Sequence, residues 1–122
     1  MRSLTILYVE DYQLILAYVK EILEAKGWRV VTCRDGFGAL EKIESASRYD
    51  VLIFDNSLPG ITGVELVRRA RCLTHRRRTP IIMLSTSDSE KAALLAGADV
   101  FLKKPDSIEE ITETISRLIG EG

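Results

Sequence analysis

A chain of 122 residues, 46% hydrophobic and 29% charged, is the size of one domain and apolar enough to fill a core without staples. Its 17 basic and 18 acidic side chains leave a formal charge of -1, so no whole-molecule field draws it toward nucleic acid or an anionic membrane. No apolar run is long enough to span a bilayer, and Met1-Arg2-Ser3 leads directly into a strand-like run, not a signal peptide, which implies a cytoplasmic protein with Cys33 and Cys72 as reduced packing residues.

In chain order, Leu4 to Val9 reads as a strand that stops at the acids Glu10-Asp11. From Gln13 to Lys26, Ile15, Tyr18, Val19, Ile22 and Leu23 recur at three- and four-residue spacing. That spacing predicts a first helix, with Gly27 as its left-handed cap and Trp28 as a partly exposed packing residue beyond it. Val30 to Cys33 is a second strand, and Asp35-Gly36 opens a helix whose buried stripe is Ala39, Leu40 and Ile43. The third strand, Val51-Leu52-Ile53-Phe54, is apolar at every position, as in a strand covered on both faces inside a parallel sheet. It ends at Asp55, and because Pro59-Gly60 cannot continue a central strand, the carboxylate sits at the mouth of the sheet.

A third helix turns Val64, Val67 and Ala70 inward and Glu65, Arg68, Arg69 and Arg71 outward. The basic loop Thr74 to Thr79, containing His75 and Arg76-Arg77-Arg78, reads as a solvated segment, since no aromatics interleave as they would in a nucleic-acid patch. Pro80 starts a fourth strand, Ile81 to Leu84, ending in the hydroxyl cluster Ser85-Thr86-Ser87. Asp88 or Ser89 is expected to cap a short helix to about Ala96. Gly97-Ala98-Asp99 turns into the fifth strand, Val100-Phe101-Leu102, closed by Lys103-Lys104-Pro105. Ser107 with Glu110 predicts a capping box for a last helix striped by Ile108, Ile111, Ile115, Leu118 and Ile119. One domain over residues 1–122 is the expectation.

Five strands alternating with five helices, with no wet strand face, imply an α/β fold: a parallel sheet covered on both sides. Polar groups end strands one, three, four and five at Glu10-Asp11, Asp55, Ser85 and Lys104. In a parallel sheet those ends share one edge, the edge where ligands bind. Three carboxylates gathered there repel one another unless a cation joins them. Oxygen-only ligands suit Mg²⁺, and the absence of Cys and His at these strand ends argues against zinc. Beside Mg²⁺ and the Lys104 ammonium, Asp55 becomes a candidate nucleophile for phosphoryl transfer. Ser85 would donate to one phosphoryl oxygen and Lys104 would pair with another.

The ordered set Glu10-Asp11, Asp55 with Pro59 and Gly63 after it, Ser85 after an apolar strand, and Lys104-Pro105 resembles the receiver domain of two-component response regulators over essentially the whole chain. The resemblance implies the flavodoxin-like strand order 2-1-3-4-5 and Asp55 as phosphoacceptor. It further implies Mg²⁺ held by Glu10, Asp11, Asp55 and the main-chain carbonyl of Ser57, and a cis Lys104-Pro105 bond. A histidine kinase or histidine phosphotransfer protein would be the donor, and the switch would move Ser85 toward the phosphoryl group while the ring of Phe101 turns inward. Output would pass through an unidentified partner or a phosphorylation-linked homodimer, with no direct contact to nucleic acid or membrane. One position departs from the family pattern: the residue after the switch hydroxyl is usually very small, and here it is Thr86.

Other classes fit less well. A phosphatase of the haloacid-dehalogenase type also uses an aspartyl nucleophile and Mg²⁺, but its second acid is expected where Ser57 stands, and the chain has no room for a substrate cap. A flavin carrier would cradle phosphate in the first strand-to-helix loop, where Glu10-Asp11 would repel it. A degenerate receiver acting only as an interaction domain would not need the complete set of acids, hydroxyl and lysine. The expectation is therefore a signalling module that catalyses only its own phosphorylation and dephosphorylation.

Overall fold

Side-chain alternation along the strands builds two cores, one on each side of the sheet. In a computed structural model describing residues 3–120, the elements run β1 (Thr5–Val9), α1 (Gln13–Glu24), β2 (Arg29–Cys33), α2 (Gly36–Glu44), β3 (Val51–Phe54), α3 (Gly63–Cys72), β4 (Ile81–Ser85), α4 (Glu90–Ala96), β5 (Val100–Lys103), a 3₁₀ turn (Ile108–Glu110) and α5 (Ile111–Leu118). The strands form one parallel sheet in the order β2-β1-β3-β4-β5, as the resemblance implies. Leu7, Val9, Leu52, Phe54, Ile81 and Met83 pack on one face against Ala39 and Ile43 of α2, Val67 and Ala70 of α3, and Ala93 of α4. Ile6, Tyr8, Val51, Ile53, Ile82 and Leu84 point the other way, against Val19 and Leu23 of α1 and Ile111 and Ile115 of α5. Each fully buried aliphatic or aromatic side chain of this kind contributes about 1.5–3 kcal/mol.

Parallel register then brings the polar residues to one edge. Val9 pairs with Phe54 and Ser85 with Lys103, so Glu10, Asp55 and Lys104 follow at neighbouring carboxyl ends. Gly63 keeps the loop after β3 tight: a Cβ there would meet the Asp55 carbonyl oxygen at 2.1 Å. Thr62 caps α3 by accepting from the Glu65 amide at 3.2 Å, and Asp35 caps α2 by accepting from Gly38 at 2.7 Å.

Several local expectations are corrected. Trp28 is buried, filling the α1/α5 core just after the turn at Gly27, whose φ is +86°. Tyr18 shares the helical spacing of Val19 and Leu23 yet remains about half exposed. Ser107 and Glu110 form no capping box; a 3₁₀ turn precedes α5, with Glu110 N–H donating to the Ser107 carbonyl at 3.1 Å. Ser89 stands at the α4 N-cap, but its hydroxyl lies 2.7 Å from Ser87 Oγ and caps nothing.

The basic segment also differs from a solvated one. Arg71 turns back from α3 and donates to the carbonyls of Arg76, Arg77, Thr79 and Gly97. Arg76, only 2% exposed, donates to the carbonyls of Ile43 and Ser45 at 2.9 and 3.0 Å and covers the Tyr49 ring. Orphan carbonyls at the end of α2 thus gain a charged donor from a residue 33 positions away. Cys72 is exposed and Cys33 half-buried, so only the latter packs. No helix among the described residues is long and apolar enough to cross a membrane.

Candidate functional site

A cleft of about 410 Å³ opens at the carboxyl edge of the sheet, lined by residues that include Glu10, Asp11, Asp55, Ser57, Thr86 and Lys104. Buried β3 delivers Asp55 to its floor, where the residue is 5% exposed. The Asp55 main chain is fixed by its N–H donating to the Val9 carbonyl at 2.9 Å. Its carboxylate is not fixed in the same way: Oδ1 is fully buried and has no hydrogen-bond partner, with Lys104 Nζ 3.7 Å off. A buried acceptor left in that condition costs about 1–3 kcal/mol, so a bound ion, a water or a reacting group is expected to satisfy it.

Lys104 leans instead on Glu10, with Nζ 2.5 Å from Oε1 and both side chains at least 95% buried. Tyr8 donates its hydroxyl to the same oxygen at 3.2 Å, and the Tyr12 N–H donates to Oε2 at 3.1 Å. Burial pushes the Glu10 carboxyl above its usual range, and the bond from Lys104 opposes that rise. Burial and the Glu10 charge also push the Tyr8 phenol up, keeping it a donor. The Lys104-Pro105 peptide is cis, as the resemblance implies.

The donor set fits a hard cation. Asp11 and Ser57 line the same cleft as Asp55, and every available ligand is oxygen. Among the described residues, no three His, Cys, Asp or Glu side chains already stand as a metal-holding group. Both oxygens of Glu10 are engaged, by Lys104, Tyr8 and the Tyr12 N–H.

Ser85 is at the end of β4, fully buried, but its hydroxyl does not enter the cleft. Its Oγ lies 2.9 Å from Ser87 Oγ and accepts from the Ser87 N–H at 3.2 Å. Thr86 lines the cleft in its place. Phe101 is half-buried on β5, packed against the core beneath α2, α3 and α4. Sequence reasoning missed Tyr8, Tyr12 and Ser87. Tyr8 reads as one more apolar strand residue, whereas Ser87 carried a signal in its spacing, two residues from Ser85 and two from Ser89.

A doubly wound parallel sheet with an acid, an acid pair and a lysine at its carboxyl edge is the arrangement expected of a receiver-type signalling domain. The chain belongs to the response regulator receiver domain family, whose model matches residues 6–116. It is 32% identical over 117 residues to the alkaline phosphatase synthesis transcriptional regulatory protein PhoP of Bacillus subtilis, covering 93% of this chain and 48% of that one. The chain spans about half the length of the transcriptional regulators it matches.

Among solved structures, the receiver domain of a sensor histidine kinase from Pseudomonas aeruginosa, with a magnesium ion in its active-site cleft, superposes with a TM-score of 0.88 at 31% identity, covering 98% of this chain and 99% of that one. A chemotaxis response regulator of Vibrio cholerae gives 0.87 at 32% identity, covering 96% and 99%.

Proposed function

We propose that residues 1–122 act as one receiver domain that accepts a phosphoryl group on Asp55 and answers it by changing a partner-binding surface. The single observation that carries this is the buried Asp55 carboxylate at the floor of the cleft, its Oδ1 without a hydrogen-bond partner and 3.7 Å from the Lys104 ammonium. A carboxylate at a cleft floor, with an ammonium beside it to offset the charge of the incoming group, is suited to attack phosphorus. As the Asp55 O–P bond forms, the bond from phosphorus to the donor's nitrogen or oxygen breaks and the donor keeps that electron pair. Lys104 exchanges part of its hold on Glu10 for a phosphoryl oxygen, which a flexible point charge can do with little rearrangement. Mg²⁺, held by Asp11, Asp55 and the Ser57 carbonyl, with Glu10 reaching it directly or through water, would neutralise charge on the transferring group.

Ser85 leaves Ser87 to donate to the phosphoryl oxygens, and Phe101 moves into the space vacated behind β4. The surface over β5 and its flanking helices, with exposed Lys91, Glu109 and Glu113, then presents a new shape to an output partner or a second copy. The donor is a histidine kinase or histidine phosphotransfer protein in the cytoplasm, and the only chemistry is the domain's own phosphorylation and dephosphorylation. Incubation with a phosphorylated histidine phosphotransfer protein tests this. Transfer to the wild type and none to Asp55→Asn is expected, and equal transfer to both would overturn the assignment.

A further inference from the structure

Six arginines fall between positions 68 and 78, and the phosphoryl site uses none of them. Arg68 and Arg69 pair with Glu65 at 3.0 and 3.1 Å. Arg71 and Arg76 are committed to backbone carbonyls. Arg77 and Arg78 remain: both are exposed, and neither side chain has a hydrogen-bond or ion-pair partner among the described residues.

These two border a cleft of about 650 Å³ between the loop before β3 and the loop before β4, at the sheet edge opposite Asp55. Arg48 stands on the other wall, its side chain 81% exposed and 3.1 Å from Asp50. Arg48, Arg76, Arg77 and Arg78 against Asp50 give the lining a formal charge of 4 − 1 = +3 with His75 neutral, on a chain whose total is -1. Like charges gathered this way repel, so the loop must be held by something else. Arg71 holds it, fixing the carbonyls of Arg76, Arg77 and Thr79, and Asp99 anchors Arg71 at 3.0 Å. The two unpaired guanidiniums are therefore presented on a backbone already ordered, which lowers the cost of binding.

We propose that this cleft binds a small anion carrying several phosphate groups, of the class of an inorganic polyphosphate or a nucleotide. Guanidinium forks match phosphate oxygens in pairs, and the volume lies within the range of small-ligand sites. A long nucleic acid is disfavoured, because no exposed aromatic lines the cleft for bases to stack on.

Calorimetric titration of the wild-type protein with inorganic tripolyphosphate and with ADP, in buffer free of divalent cations, tests the proposal. Binding is expected to weaken as salt rises and to fall about tenfold or more in Arg77→Gln/Arg78→Gln, with Arg68→Gln within about twofold of wild type. Arg77 and Arg78 are exposed, so the fold is retained, which circular dichroism checks. Tripolyphosphate binding with ADP excluded would make the ligand a polyphosphate, and the reverse a nucleotide. Absence of both, binding untouched by the double variant, or tighter binding of a single-stranded oligonucleotide than of either probe would overturn it.

Discussion

Ser85 Oγ lies 2.9 Å from Ser87 Oγ and is engaged there, not with Asp55. That bond biases the domain toward its resting arrangement, and a single neutral hydrogen bond is worth about 1 kcal/mol. Ser87→Ala should therefore raise the ratio of switched to resting phosphorylated protein by about fivefold. Ser85→Ala should do the opposite, weakening the coupling more than it weakens phosphorylation. Amide exchange across residues 86–105 after phosphorylation reads both. Unchanged exchange there while Asp55 is modified would leave the site as a relay with no switch.

Lys104 stands between two buried carboxylates, and its removal should be costly. Lys104→Met leaves Glu10 and Asp55 facing each other without a cation, a change of the kind that costs roughly 3–5 kcal/mol. The loss should depend on pH in a definite direction. Glu10 titrates above its unfolded value, so its unfavourable burial is absent at low pH and grows as pH rises through the raised folded value. Without Lys104 that rise is larger. Urea denaturation should show the variant closer to wild type at pH 5 than at pH 8; an equal deficit at both would contradict the assignment of the cost to Glu10.

Gly63 is required by space alone. Its Cβ would strike the Asp55 carbonyl oxygen at 2.1 Å and the Asn56 Cα at 2.9 Å, all backbone that cannot swing aside. Gly63→Ala should cost about 1–3 kcal/mol or more and displace Asp55, lowering phosphorylation as well. Gly27→Ala meets nothing within 4 Å and strains only a φ of +86°, so it should cost about 1 kcal/mol and leave phosphorylation intact. Thermal melts paired with a phosphorylation assay separate the two.

If Asp11 and Asp55 hold Mg²⁺ as proposed, its affinity should fall in Asp11→Ala and in Asp55→Asn, because each removes a charged oxygen from the cleft. Calorimetry giving the wild-type affinity for Asp11→Ala would remove Asp11 from the ligand set.

The parts of this molecule that were legible in its sequence are those fixed by periodicity along the chain. Val51-Leu52-Ile53-Phe54 announces a strand buried on both faces, and all four residues are buried. Because parallel strands align their ends, the convergence of Glu10, Asp55 and Lys104 follows from where each apolar run stops. What could not be read were side-chain bonds between distant segments. Arg76 reads as a solvated charge, and only the fold places it 2.9 Å from the Ile43 carbonyl. Ser107 and Glu110 have the spacing of a capping box, but the 3₁₀ turn at Ile108–Glu110 satisfies the backbone first. Glu10 is recognisable as an acid at a strand end, and its engagement by Tyr8 and Lys104 is not.

If Asp55 is the phosphoryl acceptor, intact mass will show it. Wild-type protein incubated with acetyl phosphate and Mg²⁺ should gain the mass of one phosphoryl group, and should not gain it when EDTA is present or when the variant is Asp55→Asn. No gain by the wild type, or a gain retained by Asp55→Asn, would mean that Asp55 is not the acceptor.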